Sequence, residues 1–457
     1  MVLGGILMFA LVLMLLVLFQ VTLVPSLNEA SEFDHSERVQ KDMEAFQADL
    51  LSASATGAPE EMTVETGLRY PERAFLVNPP PVAGSMTTTP GTVTFEGFVS
   101  EDSEIADFWN GTAIYSYDTR SLTYAADYNE FRNAPTIVYE HSTLYNTFDN
   151  GEAVALGNGH LISGNRINLV LLDGDLSTAS SRSITSTIDP ISAPARTTLL
   201  KGNGSDPTIT VTSQLSAETW RKDILVEELG TTVKNVTKSG DKVTITLFEN
   251  VTYEVRMTKI GLGTGYDTEE RTRYLTIPTD ATSKVTANGE WKAKLVVEAR
   301  DRFNNPVPNA TVRFQGDGGK FETVDRELVD DAEITVQTDE QGRATVWYNI
   351  LSDSSVGVGA FLGSNTQAGG PEHVQFVVVP PTVIDLPFLE PDTDGSAIIV
   401  FENVRVEPNS NDKKNNNFTN ITLDFDNKLN DDVEITGIRL EYISNFVKTG
   451  EGEKAQS

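Results

Sequence analysis

The chain contains no cysteine. Disulfides, thiolate metal sites and thiol nucleophiles are excluded, so any folded extracytoplasmic part relies on its core or on bound ions. Histidine is scarce as well: His35, His141, His160 and His373 are scattered without ligand spacing, which argues against a histidine-based metal site. Basic residues are outnumbered, 35 Lys and Arg against 66 Asp and Glu, for a formal net charge of −31. A surface this acidic repels DNA, RNA and anionic headgroups, which excludes a nucleic-acid partner. The chain also lacks a nucleophile elbow, a His-Glu-x-x-His helix and a phosphate-cradling glycine loop. Gly261-Leu262-Gly263-Thr264-Gly265 has no Lys-Ser/Thr continuation and reads as a β turn. No catalytic residue and no resident cofactor is assigned.

Charge is missing where apolar residues are densest. No charged side chain occurs from Met1 to Asn28, and Val2 to Phe19 is almost continuously apolar. At about 1.5 Å per residue, Val2 to Val24 is long enough to cross a hydrocarbon core of about 30 Å, so residues 1–25 are expected to form a transmembrane helix. A cleaved secretory signal is the rival reading, but the basic n-region and an A-x-A-like site are missing. After Pro25, the residues Val39, Met43, Phe46 and Leu50 recur at intervals of four, three and four. With Glu37, Arg38, Lys41, Asp42 and Glu44 on the other faces, this predicts an amphipathic stalk helix over 26–52. The large acidic remainder is expected outside a single-pass cell-membrane anchor, with the N-terminus at the cytoplasmic face.

From 53 onward, short runs rich in Val, Ile, Thr and Tyr are separated by Gly, Asn, Asp and Pro. That pattern predicts a mainly β protein: an N-terminal transmembrane and stalk helix followed by several β-sandwich-like modules, one containing a short helix. Residues 53–283 are read as one or more β-rich extracellular domains. A helix is expected near 217–229, with Ser216 as N-cap and Trp220, Ile224, Leu225 and Leu229 on its apolar face. Lys242 to Phe248 and Val251 to Ile260 read as a hairpin across Glu249-Asn250. A β-sandwich is expected at 284–380, where Ala293, Leu295, Val297 and Ala299 alternate with polar neighbours. Residues 381–395 form a Pro/Asp-rich linker, 396–446 a small β module too short for an independent core, and 447–457 a frayed tail.

Particular motifs carry resemblances. The stretch Val2-Leu3-Gly4-Gly5-Ile6-Leu7-Met8-Phe9-Ala10-Leu11, followed by a proline and an amphipathic half-helix, resembles the N-terminal region of archaeal type IV pilins and pilin-like proteins. Met1 stands where such proteins place a basic leader and an acidic residue. Acid spread along the whole soluble part resembles the composition of proteins from salt-loving archaea, and 53–283 resembles haloarchaeal surface proteins with this pilin-like start. The resemblance implies a membrane anchor and, further, contact with other pilin-like subunits. Asp301-Arg302-Phe303-Asn304-Asn305-Pro306-Val307 followed by Thr338-Asp339-Glu340-Gln341-Gly342-Arg343-Ala344-Thr345-Val346 resembles the two turns of a bacterial immunoglobulin-like domain of the invasin and intimin type. That resemblance implies a β-sandwich used as a spacer or adhesive module.

Two kinds of candidate site remain. Calcium is the one ion the sequence suggests: Asp173 and Asp175, Asp392 and Asp394, and the pair Asp330-Asp331 bring hard oxygens together, although none completes an EF-hand-type loop. The sequence also holds seven Asn-x-Ser/Thr sequons, at Asn110, Asn203, Asn235, Asn250, Asn309, Asn417 and Asn420, each a glycosylation candidate on an extracytoplasmic chain. The reading is a non-enzymatic surface protein, anchored by its helix, whose β modules serve adhesion, envelope-glycan contact or pilus-like assembly. The alternative is an envelope-associated carbohydrate-active enzyme or a calcium-dependent carbohydrate-binding protein with the immunoglobulin-like module as spacer.

Overall fold

A computed structural model describes residues 2–73, 75–156, 161–288, 290–323, 328–329, 332–381, 399–408 and 418–427. The chain is mainly β, with a long N-terminal helix and a short helix at 217–224. The linker acids Asp392 and Asp394, the pair Asp330 and Asp331, His160 and the sequon Asn417 lie outside the described residues.

The N-terminal helix does not stop at Pro25. Val2–Leu18 passes through a wider π-helical turn, Phe19–Leu23, into Val24–Thr56. Pro25 has no amide hydrogen and its ring crowds the carbonyl one turn earlier, which ordinarily kinks or ends a helix. The widened turn, in which the Val24 amide donates to the carbonyl of Phe19, relieves that conflict. Gly57 ends the helix with a left-handed backbone, φ 72°, its amide donating to the carbonyl of Ala53. In the apolar half, Leu3, Leu7, Met8 and Phe9 are exposed. In the lower half, the predicted stripe of Val39, Met43, Phe46 and Leu50, extended by Ala53, is fully buried.

That stripe packs into the first β body rather than standing clear of it as a stalk. It shares one core with Met62, Met86, Leu122, Tyr139, Ile188 and Ile260. The first body consists of two sheets of seven and nine strands. The smaller runs in the order Glu60–Val64, Ile184–Ser192, Tyr253–Leu262, Thr198–Gly202, Phe98–Ser100, with Arg166–Asp173 parallel to Tyr253–Leu262. The larger is built on a long ribbon, Gly84–Glu96 antiparallel to Tyr115–Ala126. A second core between the sheets holds Phe95, Trp109, Tyr117, Trp220, Tyr253 and Met257.

The expected hairpin across Glu249-Asn250 does not form. Lys242–Leu247 pairs with Thr208–Thr212 and Val233–Ser239 in the larger sheet, whereas Tyr253–Leu262 lies in the smaller. Both strands have alternating apolar faces, and alternation says which face is buried but not which sheet a strand joins. The helix at Ala217–Thr219 has Ser216 as its N-cap, the hydroxyl accepting from the amide of Thr219, and closes with a π-helical turn, Trp220–Ile224. It ends before Leu229 because Leu225 leaves helical geometry.

The second body is a sandwich of two five-stranded sheets. One runs Thr272–Thr276, Lys292–Asp301, Arg343–Ile350, Gly319–Glu322, Leu328–Val329, and the other Lys284–Thr286, His373–Val379, Val356–Leu362, Thr311–Gly316, Glu333–Gln337. Leu295, Val297, Val312, Phe314, Val346, Tyr348 and Phe376 fill the space between them. Farther along, Ile399–Pro408 and Phe418–Asn427 form an antiparallel pair.

Candidate functional site

The turn Asp301–Val307, expected merely to join two strands of the sandwich, is the socket that fastens the two β bodies together. Asp301 organises it, its Oδ1 accepting from the amides of Phe303 (2.7 Å) and Asn305 (3.1 Å). Its other oxygen accepts from the Ser192 hydroxyl of the first body at 2.5 Å. Burial pushes the Asp301 carboxyl up to about 6, against the pull of these hydroxyl and amide hydrogen bonds. The Asn305 side chain donates to the carbonyl of Met257 (2.7 Å) and to Ser192, and accepts from the Arg196 amide (2.9 Å). Asn304, with φ 69°, turns its Oδ1 toward the Trp109 indole (2.7 Å) and the Tyr274 hydroxyl (3.0 Å).

Aromatic packing closes the joint. Phe108 stacks on Tyr274 with centroids 4.8 Å apart, and the Arg302 guanidinium lies 4.7 Å from the Tyr117 ring centre. The Tyr117 hydroxyl donates to the carbonyl of Arg302 at 2.9 Å. Neither Trp109 nor Tyr117 was singled out by sequence pattern: Tyr117, on the strand Tyr115–Ala126, and Trp109, in the bend after Ser103–Ala106, carry no local signal of what they face. The available signal was the turn itself, which puts Asp301, Asn304 and Asn305 within five residues.

A second polar group lies inside the first body. His141 and Ser142 form a two-residue turn between Thr136–Glu140 and Thr143–Thr147, both with positive φ, at 50° and 65°. Such turns favour Asn and Gly, so His and Ser are held there by their surroundings. Ser142 Oγ accepts from the Val170 amide at 2.9 Å and its carbonyl accepts from Gln47 of the long helix at 2.9 Å. The Ser213 hydroxyl donates to the Glu140 carboxylate and accepts from the Trp220 indole at 3.0 Å. Burial pushes the Glu140 carboxyl up to about 7, with the hydrogen bond from Ser213 opposing it. Burial likewise lowers the His141 imidazole to about 4. Serine, histidine and glutamate meet here without the order of a catalytic triad: Ser213 bonds Glu140 directly, and His141 Nε2 bonds the Thr212 carbonyl.

The calcium candidates that are described have cation partners within the protein. Asp173 pairs with Lys259 at 3.0 Å and Asp175 with Arg120 at 2.7 Å. Among the described residues, no three of His, Cys, Asp and Glu are grouped to hold a metal ion. An open cleft of about 480 Å³ beside Asp173 is lined by Asp118, Arg120, Asp241 and Lys242 together with small residues, and its lining among the described residues holds no aromatic side chain.

The sequons fare differently. Asn110, Asn203, Asn235, Asn250 and Asn309 are all exposed. The fold gathers the first four toward one end of the first body. Asn110 bridges to Val99, the Asn203 amide donates to the Gly97 carbonyl at 3.1 Å, and the Gly202 amide donates to the Glu249 carbonyl at 3.3 Å. Asn235 lies on the neighbouring strand Val233–Ser239. Asn309 sits on the sandwich, and Asn420 on Phe418–Asn427.

Residues 278–377 match the family model of the bacterial Ig-like domain (group 1), in agreement with the sandwich and its turns. Across a longer span the chain is similar to an uncharacterized protein from Archaeoglobus fulgidus, 23% identical over 389 residues. That alignment covers 82% of this chain, which spans 62% of the relative's length. Among solved structures, the adhesin InvE of Yersinia pseudotuberculosis aligns at 14% identity over 45% of this chain and 62% of that one, with a TM-score of 0.18. Domains 4 and 5 of the S-layer protein SbsC align at 13% identity over 30% of this chain and 63% of that one, TM-score 0.17. A β-glucuronidase of Parabacteroides merdae aligns at 11% identity over 38% and 16%, TM-score 0.17. TM-scores this low establish no common fold over the aligned lengths.

Proposed function

We propose that this chain is a non-enzymatic surface protein, anchored in the cell membrane by its N-terminal helix and presenting two docked β bodies outside the cell. The observation that carries this reading is the continuity of Val2–Leu18 with Val24–Thr56. One end is apolar and bare over enough length to cross a bilayer, and the other is built into a β core. The socket at Asp301–Val307 then makes the immunoglobulin-like module a rigid continuation of the first body. Adhesion or envelope contact is the role that suits this arrangement: two joined, acidic, cysteine-free β bodies standing on a membrane. Packing of the bare helix against other pilin-like subunits is the same anchor used in a filament.

Flotation tests the anchor. The full chain should rise with phosphatidylcholine vesicles in a density gradient, and a variant beginning at residue 24 should stay behind. If the full chain stays at the bottom as a soluble monomer, or if the cell-derived protein begins after the apolar stretch, the anchor reading fails.

A further inference from the structure

Where the apolar stretch ends, a loop of the first body runs back along the helix to meet it. The Gln20 side chain pairs with the backbone of Val77: its Nε2 donates to the carbonyl at 2.7 Å and its Oε1 accepts from the amide at 2.9 Å. Lower down, Arg73 donates to Asn28 of the helix at 2.7 Å and to Asn78 within the loop. Asn78 donates to the carbonyl of Pro71 at 2.7 Å, and Asn129 reaches the carbonyl of Pro80 at 3.3 Å. These bonds set the loop at a defined height on the helix.

What they hold there is apolar. Phe75 is 91% exposed and Val77 is 73% exposed. Phe75 also has φ 63°, a left-handed backbone that a bulky side chain ordinarily avoids. Pinning such a pair into water gains the fold nothing, and exposed apolar surface at a fixed place marks a contact. The height identifies the contact. From Val2 to Gln20 the helix rises about 27 Å, close to the hydrocarbon thickness of about 30 Å. The loop tip therefore arrives at the outer boundary of the layer the helix crosses, and exposed Leu23 and Leu27 continue the apolar surface beside it.

We infer that Phe75 and Val77 form a second, shallow membrane contact, an apolar wedge seated in the interfacial region of the leaflet from which the helix emerges. The inference rests on the membrane-anchor reading. Its chemistry is apolar insertion rather than headgroup attraction: Arg73 is occupied by Asn28 and Asn78, and Glu29 and Glu72 lie close by in the chain. With two points in the lipid, the protein fixes the rotation and tilt of its helix, and so the direction in which the β bodies stand.

The absence of cysteine makes the test clean. Single variants Val12→Cys, Phe75→Cys, Val77→Cys and Ser354→Cys of the full chain would carry an environment-sensitive fluorophore and be reconstituted in phosphatidylcholine vesicles containing nitroxide-labelled lipid. Position 12 should be quenched by a nitroxide deep in the acyl chain. Positions 75 and 77 should be quenched by a shallow nitroxide several-fold more than position 354, whether or not anionic lipid is added. If position 12 is quenched while 75 and 77 are as open to water as 354, the wedge is overturned and the anchor stands. If position 12 is itself open to water, both fall. Shielding of 75 and 77 from lipid and aqueous quenchers alike would assign the wedge to a second copy of the chain, which also overturns the lipid contact.

Discussion

At the scale of single residues, two neighbours of opposite tendency sit in one buried turn. Glu140, pushed up to about 7, binds more protons folded than unfolded between its ordinary 4.5 and 7, so its contribution to stability falls as pH rises through that window. His141, lowered to about 4, binds fewer folded than unfolded between 4 and 6.5, so its contribution rises with pH there. Each effect is on the order of 3 kcal/mol, and over the shared range they oppose. Glu140→Gln keeps an acceptor for Ser213 and removes one side of the balance. Relative to the parent, its stability should rise by about 3 kcal/mol between pH 4.5 and pH 7, the contributions of His141 and of the raised Asp301 carboxyl being common to both, and should exceed the parent's above pH 7. Denaturant titrations across pH measure both curves, and superimposable profiles would refute the assignment.

Glu32 is a second buried carboxylate with a different purpose. On the long helix it accepts from the backbone amides of Asn129, Glu130 and Phe131 and from the Tyr70 hydroxyl, locking two loops of the first body against the helix. Glu32→Ala leaves three amide donors without their acceptor and should cost about 3 kcal/mol or more. Hydrogen exchange should reveal the loss first at residues 129–131, before any global change.

Among the elements, the long helix and the socket turn deserve separate tests. Phe46 is 1% exposed and meets Tyr139 edge-on with centroids 5.6 Å apart. Phe46→Ala should destabilise the first body by about 3–5 kcal/mol, seen as a lowered melting temperature of the whole chain rather than local fraying of a stalk. At the socket, Asn305→Ala strips three partners of the first body at once while leaving the sandwich core untouched. Spin labels at Glu227→Cys and Ser354→Cys should then report a broadened distance distribution between the bodies. An unchanged, narrow distribution would mean that the aromatic packing and the remaining bonds of Asp301, Arg302 and Asn304 hold the joint without Asn305.

The periodicity of this helix was legible because a four-three-four stripe has one interpretation: Val39, Met43, Phe46 and Leu50 must face something apolar. What they face was not legible. The same pattern serves a free stalk in a bundle and a helix laid into a sandwich, and the strands that receive it come from as far along the chain as Leu262. Likewise, Ser216 as an N-cap is a local hydrogen bond and could be read directly, whereas the partner sheet of Tyr253–Leu262 depends on residues scattered from 166 to 200.

For the whole molecule, charge is the dominant quantity. A formal −31 spread over the surface repels itself, and salt screens that repulsion within a Debye length of about 10 Å at 0.1 M. The melting temperature should therefore climb as KCl is raised from low concentration into the molar range, and a flat or falling trend in calorimetry would count against a salt-adapted surface. The sequons act at this scale too. Asn110, Asn203, Asn235 and Asn250 lie toward one end of the first body, so glycans there would cover a continuous face. Peptide mass mapping of the cell-derived protein should find occupancy within this group, with Asn309 as a separate site on the sandwich.

Some properties of this chain were determined by its sequence alone. The absence of cysteine, the excess of acid, the bare apolar start and the alternating runs specify a disulfide-free, mainly β protein with one membrane-length helix, because each is a property of composition or of local period. Tertiary structure alone decided that the helix is part of a β core, that the Asp301–Val307 turn is a socket, that Asp173 and Asp175 answer to Lys259 and Arg120, and that an exposed loop is pinned beside Gln20. Each of those depends on which distant segments meet, and period and composition carry no information about that.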